Sequence, residues 1–264
     1  MTDRTQRMPV LFMGHGSPMN AIAHNAYTRA VEDLGRRLPR PRAILCVSAH
    51  WITRGITVTH MPHPRTIHDF RGFPDELFAV RYPAPGSPEL AERVREIVRD
   101  TSILLDTNRW GLDHGAWSVL RHLYSAADVP VVQLSIDLQQ SAEFHHTLGQ
   151  KLRPLRDEGI LIIGSGNIVH NLRRIDWNED AKPMDWAVEF DAWVAERLKK
   201  GEHGPLVHDF EKTEAGRLSV PTPDHYLPFV VALGAAEPGE RMTFEYEGIQ
   251  NGSIDMRCVS FGVA

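Results

Sequence analysis

The feature that most constrains this chain is a set of short, almost unbroken apolar runs spaced along it. Met8–Met13 reads MPVLFM, Ala43–Ser48 reads AILCVS, Val129–Ile136 reads VPVVQLSI and Ile160–Ile163 reads ILII. Runs of this length without polar alternation describe strands buried on both faces. Between them lie stretches with helical periodicity: Asn25–Leu38, Ser87–Asp100, Ala116–Tyr124, Ala142–Leu155, Lys182–Lys200 and Asp224–Leu233. Ser87 followed by Pro88 is a helix start, and Pro228 falls where a first helical turn tolerates proline. Gly55–Thr59 and Ile103–Leu105 add shorter strands, and Met242–Glu247 with Ile254–Phe261 reads as a closing antiparallel pair joined through Asn251-Gly252. Strands alternating with helices specify an α/β fold, with a central, mainly parallel or mixed sheet flanked by helices. No repeat or linker interrupts the pattern, so residues 1–264 are expected to form one domain.

Composition narrows the partners. The 264 residues carry a net charge of -5 and no basic stripe, which argues against nucleic acid. No apolar stretch is long enough to span a bilayer and the N-terminus lacks a signal-peptide core, so no membrane partner and a cytoplasmic location are expected. Cys46 and Cys258 both sit in apolar runs and read as buried free thiols.

Chemistry is concentrated in histidines at the ends of these elements. His15 follows the first run in GHGSP, His50 follows the second in SAHW, and His170 follows the fourth after the GSGN turn. His225 opens the last apolar helix in PTPDHYLP. In open α/β sheets, ligands collect outside the carboxyl ends of strands. Imidazoles brought there from remote segments point to a divalent metal, because neutral imidazole suits Zn(II) and Fe(II). His114, in LDHGAW, precedes a helix and is placed to contact a bound oxygen, with Asp113 as the helix cap. The Pro-, Gly- and aromatic-rich stretch from His60 to Pro85 reads as a long functional loop, and its HDFRGFP segment fits equally a wall for an aromatic ligand or packing within the loop. His68 is not read as a metal ligand. Trp51 and Tyr226, next to His50 and His225, are taken as substrate-binding residues. The other histidines (His24, His60, His63, His122, His145, His146, His203 and His208) are expected on the solvated surface. GSGN lacks the spacing of a phosphate loop and reads instead as a close backbone approach. No G-x-S-x-G elbow occurs, which weighs against a serine hydrolase.

Six motifs, GHGSPMNAI, SAHW, HDFRGFP, LDHGAW, GSGNIVHNL and PTPDHYLP, taken together resemble the class III extradiol ring-cleavage dioxygenases. The similarity is greatest to the bacterial 4,5-DOPA extradiol dioxygenase group and extends to the plant enzymes of betalain biosynthesis. It runs from about residue 10 to the C-terminus. The resemblance implies a single α/β domain whose non-haem metal centre opens a catechol ring beside its hydroxyls with O2, giving a semialdehyde. It implies His15 and His50 as metal ligands, His170 as the catalytic acid/base and His114 as the residue touching substrate. Many ring-cleaving relatives supply a glutamate as third ligand; here His225 takes that place, as in the DOPA branch. The expected cofactor is a divalent metal, Fe(II) for turnover or Zn(II) as bound, with His170 able to act as a fourth ligand. Two other readings fit the same histidines: a zinc-dependent hydrolase, and a metal-binding protein without catalysis.

Overall fold

Residues 7–263 are described by the computed structural model. The first half of the chain runs β1 (Val10–Gly14), α1 (Ala26–Arg37), β2 (Ala43–Ile52), β3 (Ile56–Thr59), α2 (Asp75–Ala79), α3 (Pro88–Ile97), β4 (Ile103–Asp106), α4 (His114–Leu123) and β5 (Val131–Ile136). It continues as α5 (Ala142–Leu152), β6 (Ile160–Gly166), α6 (Asp185–Lys200), α7 (His203–His208), α8 (Glu214–Ser219) and α9 (Leu227–Ala235). Four strands close it: β7 (Met242–Tyr246), β8 (Ile249–Gln250), β9 (Ile254–Asp255) and β10 (Cys258–Phe261).

The four apolar runs become the middle of one sheet, in the order β4-β3-β5-β2-β6-β1-β10-β7. β5, β2, β6 and β1 are mutually parallel, while β3 meets β5 and β10 meets β1 and β7 antiparallel. Every residue of β1, β5 and β6 is buried. Alternate side chains on these strands go to opposite faces. Val10, Phe12, Leu45, Val47 and Ile162 join α5, α6 and α9 in one apolar cluster. Leu11, Met13, Ile44, Cys46 and Ile163 join α1 and α4 in the other. Helix α9 is buried at all nine positions, which is why its sequence is apolar all round rather than amphipathic. Both cysteines are buried free thiols, as expected.

Three features depart from the sequence reading. The closing pair splits: β7 pairs with β10 in the main sheet, and the Asn251-Gly252 turn instead joins β8 to β9 in a separate two-stranded ladder. Asn251 and Gly252 both adopt positive φ, the turn chemistry that the dipeptide signals. Residues 201–223, unassigned from sequence, hold α7 and α8. Two histidines expected at the surface are internal structural groups: His145 is fully buried with Nδ1 on the Ser141 carbonyl, and His122 bridges Glu32 and the Asn20 carbonyl.

Candidate metal centre and substrate cleft

The parallel register brings Gly14 opposite Gly166 and Ser48 opposite Ser165, so the carboxyl ends of β1, β2 and β6 lie side by side. His15 is the residue after β1, and His50 lies two residues beyond Ser48 on β2. The GSGN turn lets the chain pass close to His225. A Cβ on Gly166 would lie 2.1 Å from the His225 carbonyl oxygen, and Asn167 N–H donates to that carbonyl at 3.0 Å. His225 ends a short 3-10 turn, Pro223–His225, that leads into α9. His114 is the first residue of α4, whose N-cap Asp113 accepts from Ala116 N–H.

Five imidazoles meet here. The Nε2 atoms of His15 and His50 are 3.0 Å apart. Ring centroids are 4.9 Å apart for His15 and His50, 5.4 Å for His15 and His225, and 5.0 Å for His50 and His225. His114 is 3.9 Å from His50, and His170 stacks on His225 at 3.4 Å with planes 7° apart. One donor atom each from His15, His50 and His114 falls within 4.8 Å of the others, a group that could hold a divalent ion; His170, Asp224 and His225 form an adjoining group on the same criterion. A metal-binding protein without catalysis would leave His170 and His114 remote from the expected ligands, whereas here they lie against the rings of His225 and His50.

An oxygen lies behind four of the five rings. His15 Nδ1 bonds Ser165 Oγ at 3.0 Å, and Ser165 in turn donates to the Gly115 carbonyl at 2.5 Å. His225 Nδ1 bonds the Asp224 carboxylate. Asp69 Oδ2 lies 3.4 Å from His50 Nδ1 and 2.9 Å from His114 Nδ1, neither along the line of a directed hydrogen bond, while Asp69 Oδ1 accepts the His114 backbone N–H at 3.0 Å. Carboxylates or hydroxyls on the far nitrogen fix the tautomer and leave the near nitrogen's lone pair for a metal. His225 Nε2 is such an atom: it is buried and has no hydrogen-bond partner among the described residues. The 3.0 Å Nε2 separation of His15 and His50 matches two ligands at about 2.0–2.1 Å subtending roughly a right angle at one ion.

Electrostatics favours neutral imidazoles. Burial, then the neighbouring rings, lowers the pKa of His15 and His50 well below the ordinary histidine value, and burial with His225 does the same for His170. Burial alone would raise the Asp224 carboxyl, but its bond with His225 outweighs this and brings it down to about 2. Burial, then the Asp69 charge, pushes Asp113 up.

A cleft of about 460 Å³ opens onto this cluster, with His15, His50, His114, His170 and His225 in its wall. Phe70 and Phe73 of the HDFRGFP segment line it, as the aromatic-wall reading expected, whereas His68 is held on the Val80 carbonyl. Trp51 and Tyr226 do not line it. Trp51 is buried and stacks on Trp110, and Tyr226 is buried with its hydroxyl on the Leu206 carbonyl and its ring on Phe210. Sequence reasoning also passed over Asp69, Ser165 and the supporting part of Asp224, none of which carries a spacing signal of its own.

Residues 9–254 match the model of the LigB family, described as the catalytic LigB subunit of aromatic ring-opening dioxygenase. The chain belongs to this family. It is 51% identical over 259 residues to the 4,5-DOPA dioxygenase extradiol of Escherichia coli K12, covering 97% of this chain and 95% of that protein. It is 40% identical to the protein of the same name from Beta vulgaris, over 85% of each chain. A crystal structure of an uncharacterized protein from Escherichia coli K12 superposes with a TM-score of 0.86 at 47% identity, covering 97% of this chain and 100% of that one. The mixed sheet with flanking helices is therefore the fold of a solved relative.

Proposed function

We propose that the chain is a metal-dependent extradiol dioxygenase that opens the ring of a DOPA-like catechol with O2 to give a semialdehyde. The observation that carries this is the buried, unpartnered Nε2 of His225, on a ring whose centroid lies 5.4 Å from that of His15 and 5.0 Å from that of His50, whose own Nε2 atoms are 3.0 Å apart. Those three residues would hold the ion, and His170, stacked on His225, would lean in as a fourth donor when substrate is absent. A bound divalent ion, Fe(II) for turnover, would bring catechol and O2 together and carry electrons between them. Zn(II) fits the same imidazoles but has no accessible second oxidation state.

The chain's own residues supply the rest. His170, neutral and stacked beside His225, takes a proton from a catechol hydroxyl at a ring nitrogen and returns it as the ring opens. His114 hydrogen-bonds the substrate oxygen or the oxyanion that develops from it. Phe70 and Phe73 hold the ring edge and keep water from it. The relatives' names support the reaction class and the substrate type.

The test is anaerobic loading with Fe(II) followed by O2 uptake against a set of catechols. Stoichiometric O2 consumption with a yellow ring-opened product is expected, and none with Zn(II). Ester or amide hydrolysis under nitrogen that persists with Zn(II), without O2 uptake on any catechol, would overturn the reading in favour of a hydrolase.

A further inference from the structure

Beyond the imidazoles, the cleft is lined by apolar side chains, amides, the Ser17 hydroxyl and one acid. Among the described residues, Glu179 is its one carboxylate, and no lysine or arginine lines it. Glu179 is exposed, but it is held in place by hydrogen bonds. Gln250 donates to its Oε1 at 2.9 Å, Asn20 donates to Gln250 Oε1 at 3.2 Å and lies 3.3 Å from the His15 carbonyl, and Asn251 N–H donates to the Glu179 carbonyl at 3.0 Å. This relay ties the carboxylate to the same loop that carries His15. Two residues before it, Trp177 also lines the cleft and is 83% exposed, so its indole face is open at the mouth. A carboxylate beside an open indole face is complementary to an ammonium, through charge and through the ring quadrupole. A substrate carboxylate would meet no cation from the protein and one like charge.

We propose that Glu179, with Trp177, is the specificity-determining element of the cleft and selects catechols bearing a cationic amine tail over those bearing a carboxylate tail. The proposal rests on the ring-opening reading for its chemistry, but the recognition step is independent of it. The catechol diol points inward to the histidines and the tail points out to the mouth. A zwitterionic amino-acid tail is accepted through its ammonium, with its carboxylate left in water.

The experiment compares two catechols matched in length and opposite in charge, dopamine and 3,4-dihydroxyhydrocinnamate, with neutral 4-ethylcatechol as reference. Binding is read by quenching of tryptophan fluorescence and turnover by O2 uptake of the Fe(II)-loaded protein. The full chain is expected to favour the amine in Kd and in kcat/KM. Glu179→Gln should lower the amine's advantage over the reference about 3–5-fold at low ionic strength, the size expected of an exposed charge pair. The change should fall in KM rather than kcat and shrink with added salt. Glu179→Lys should reverse the order, which a merely structural role for Glu179 would not produce. An amine-to-acid ratio unchanged in Glu179→Gln and Glu179→Lys, or a full chain that prefers the carboxylate, overturns the proposal. If no catechol supports O2 uptake while the binding order follows charge as described, the ring-opening reading fails and the recognition proposal stands.

Discussion

Substituting Gly166 with alanine isolates the contact that positions His225. The added Cβ would lie 2.1 Å from the His225 carbonyl oxygen, whereas ordinary contact begins near 3.4 Å, so one backbone must move by up to 3.4 − 2.1 = 1.3 Å. The obstacle is backbone on both sides, since β6 is locked between β1 and β2 and the carbonyl accepts from Asn167. Overpacking of this kind costs about 1–3 kcal/mol. At roughly 2–4 °C per kcal/mol for a chain of this size, the melting temperature should fall by about 2–12 °C. The functional loss should be larger than the stability loss, because a displacement of about 1 Å at a ligand can cost on the order of 10²-fold in rate. Gly204→Ala is the control: its Cβ meets nothing within 4 Å and it lies within α7, so alanine should be neutral or stabilise slightly. The assay is Fe(II) affinity by titration, O2 uptake and thermal melting on the same preparations. A Gly166→Ala protein that melts and binds Fe(II) like the parent would refute the idea that β6 sets the position of His225.

Asp224→Asn should keep the fold but weaken metal binding about 10–100-fold, as loss of a carboxylate behind a ligating imidazole does, and unchanged affinity in a competition titration would argue against His225 as a ligand. His170→Ala should retain most of the bound metal and lose about 10²–10⁴-fold in kcat, so a parallel loss of metal would mark it as mainly a ligand. Glu240→Gln should destabilise the chain by about 1–3 kcal/mol in denaturant, because it leaves the buried guanidinium of Arg156 without its counter-charge, on the Met8 and Ala235 carbonyls and a neutral amide. Burial pushes the Glu240 carboxyl up, but its bonds with Arg156 prevail and hold it below the usual carboxylate range. Its contribution is therefore full above the unfolded carboxylate pKa and is lost as pH falls through the folded one, so the parent's melting temperature should drop in acid more steeply than the variant's.

The strand ends and their histidines were legible because an unbroken apolar run fixes a buried strand, and a buried parallel strand fixes where the next residue emerges. Adjacency in sequence was a poor guide beyond that. Trp51 follows His50 within β2, and successive strand residues face opposite sides, so a neighbour of a cleft residue is directed away from the cleft. Tyr226 follows His225 at a 3-10 turn, where one residue is about a third of a rotation, and its ring enters the core beneath α9. Asp69 could be seen only as one acid in a loop, since the pairing with His50 and His114 is made by folding residues 60–85 back over the start of α4. The split of the closing hairpin was hidden for a different reason: Asn251-Gly252 does form a turn, but sequence gives no measure of how soon the strand after it changes partner. The histidines expected at the surface failed where a polar ring found fixed oxygen partners, as His122 and His145 did.

The two cysteines bear on how such a protein withstands its own chemistry. If the proposed Fe(II) chemistry holds, the site would be a local source of oxidants, and sulfur is oxidised mainly as thiolate. Burial, reinforced by the Asp113 charge, raises the Cys46 thiol well above its ordinary value, and burial raises Cys258 likewise. Both sulfurs lie in the apolar layer under α1 and α4, closed to solvent. The fold thus keeps its sulfurs protonated and shielded from solvent, so under the proposed function loss of activity in air should track the oxidation state of the metal and be restored by reductant with fresh Fe(II), with both thiols still free.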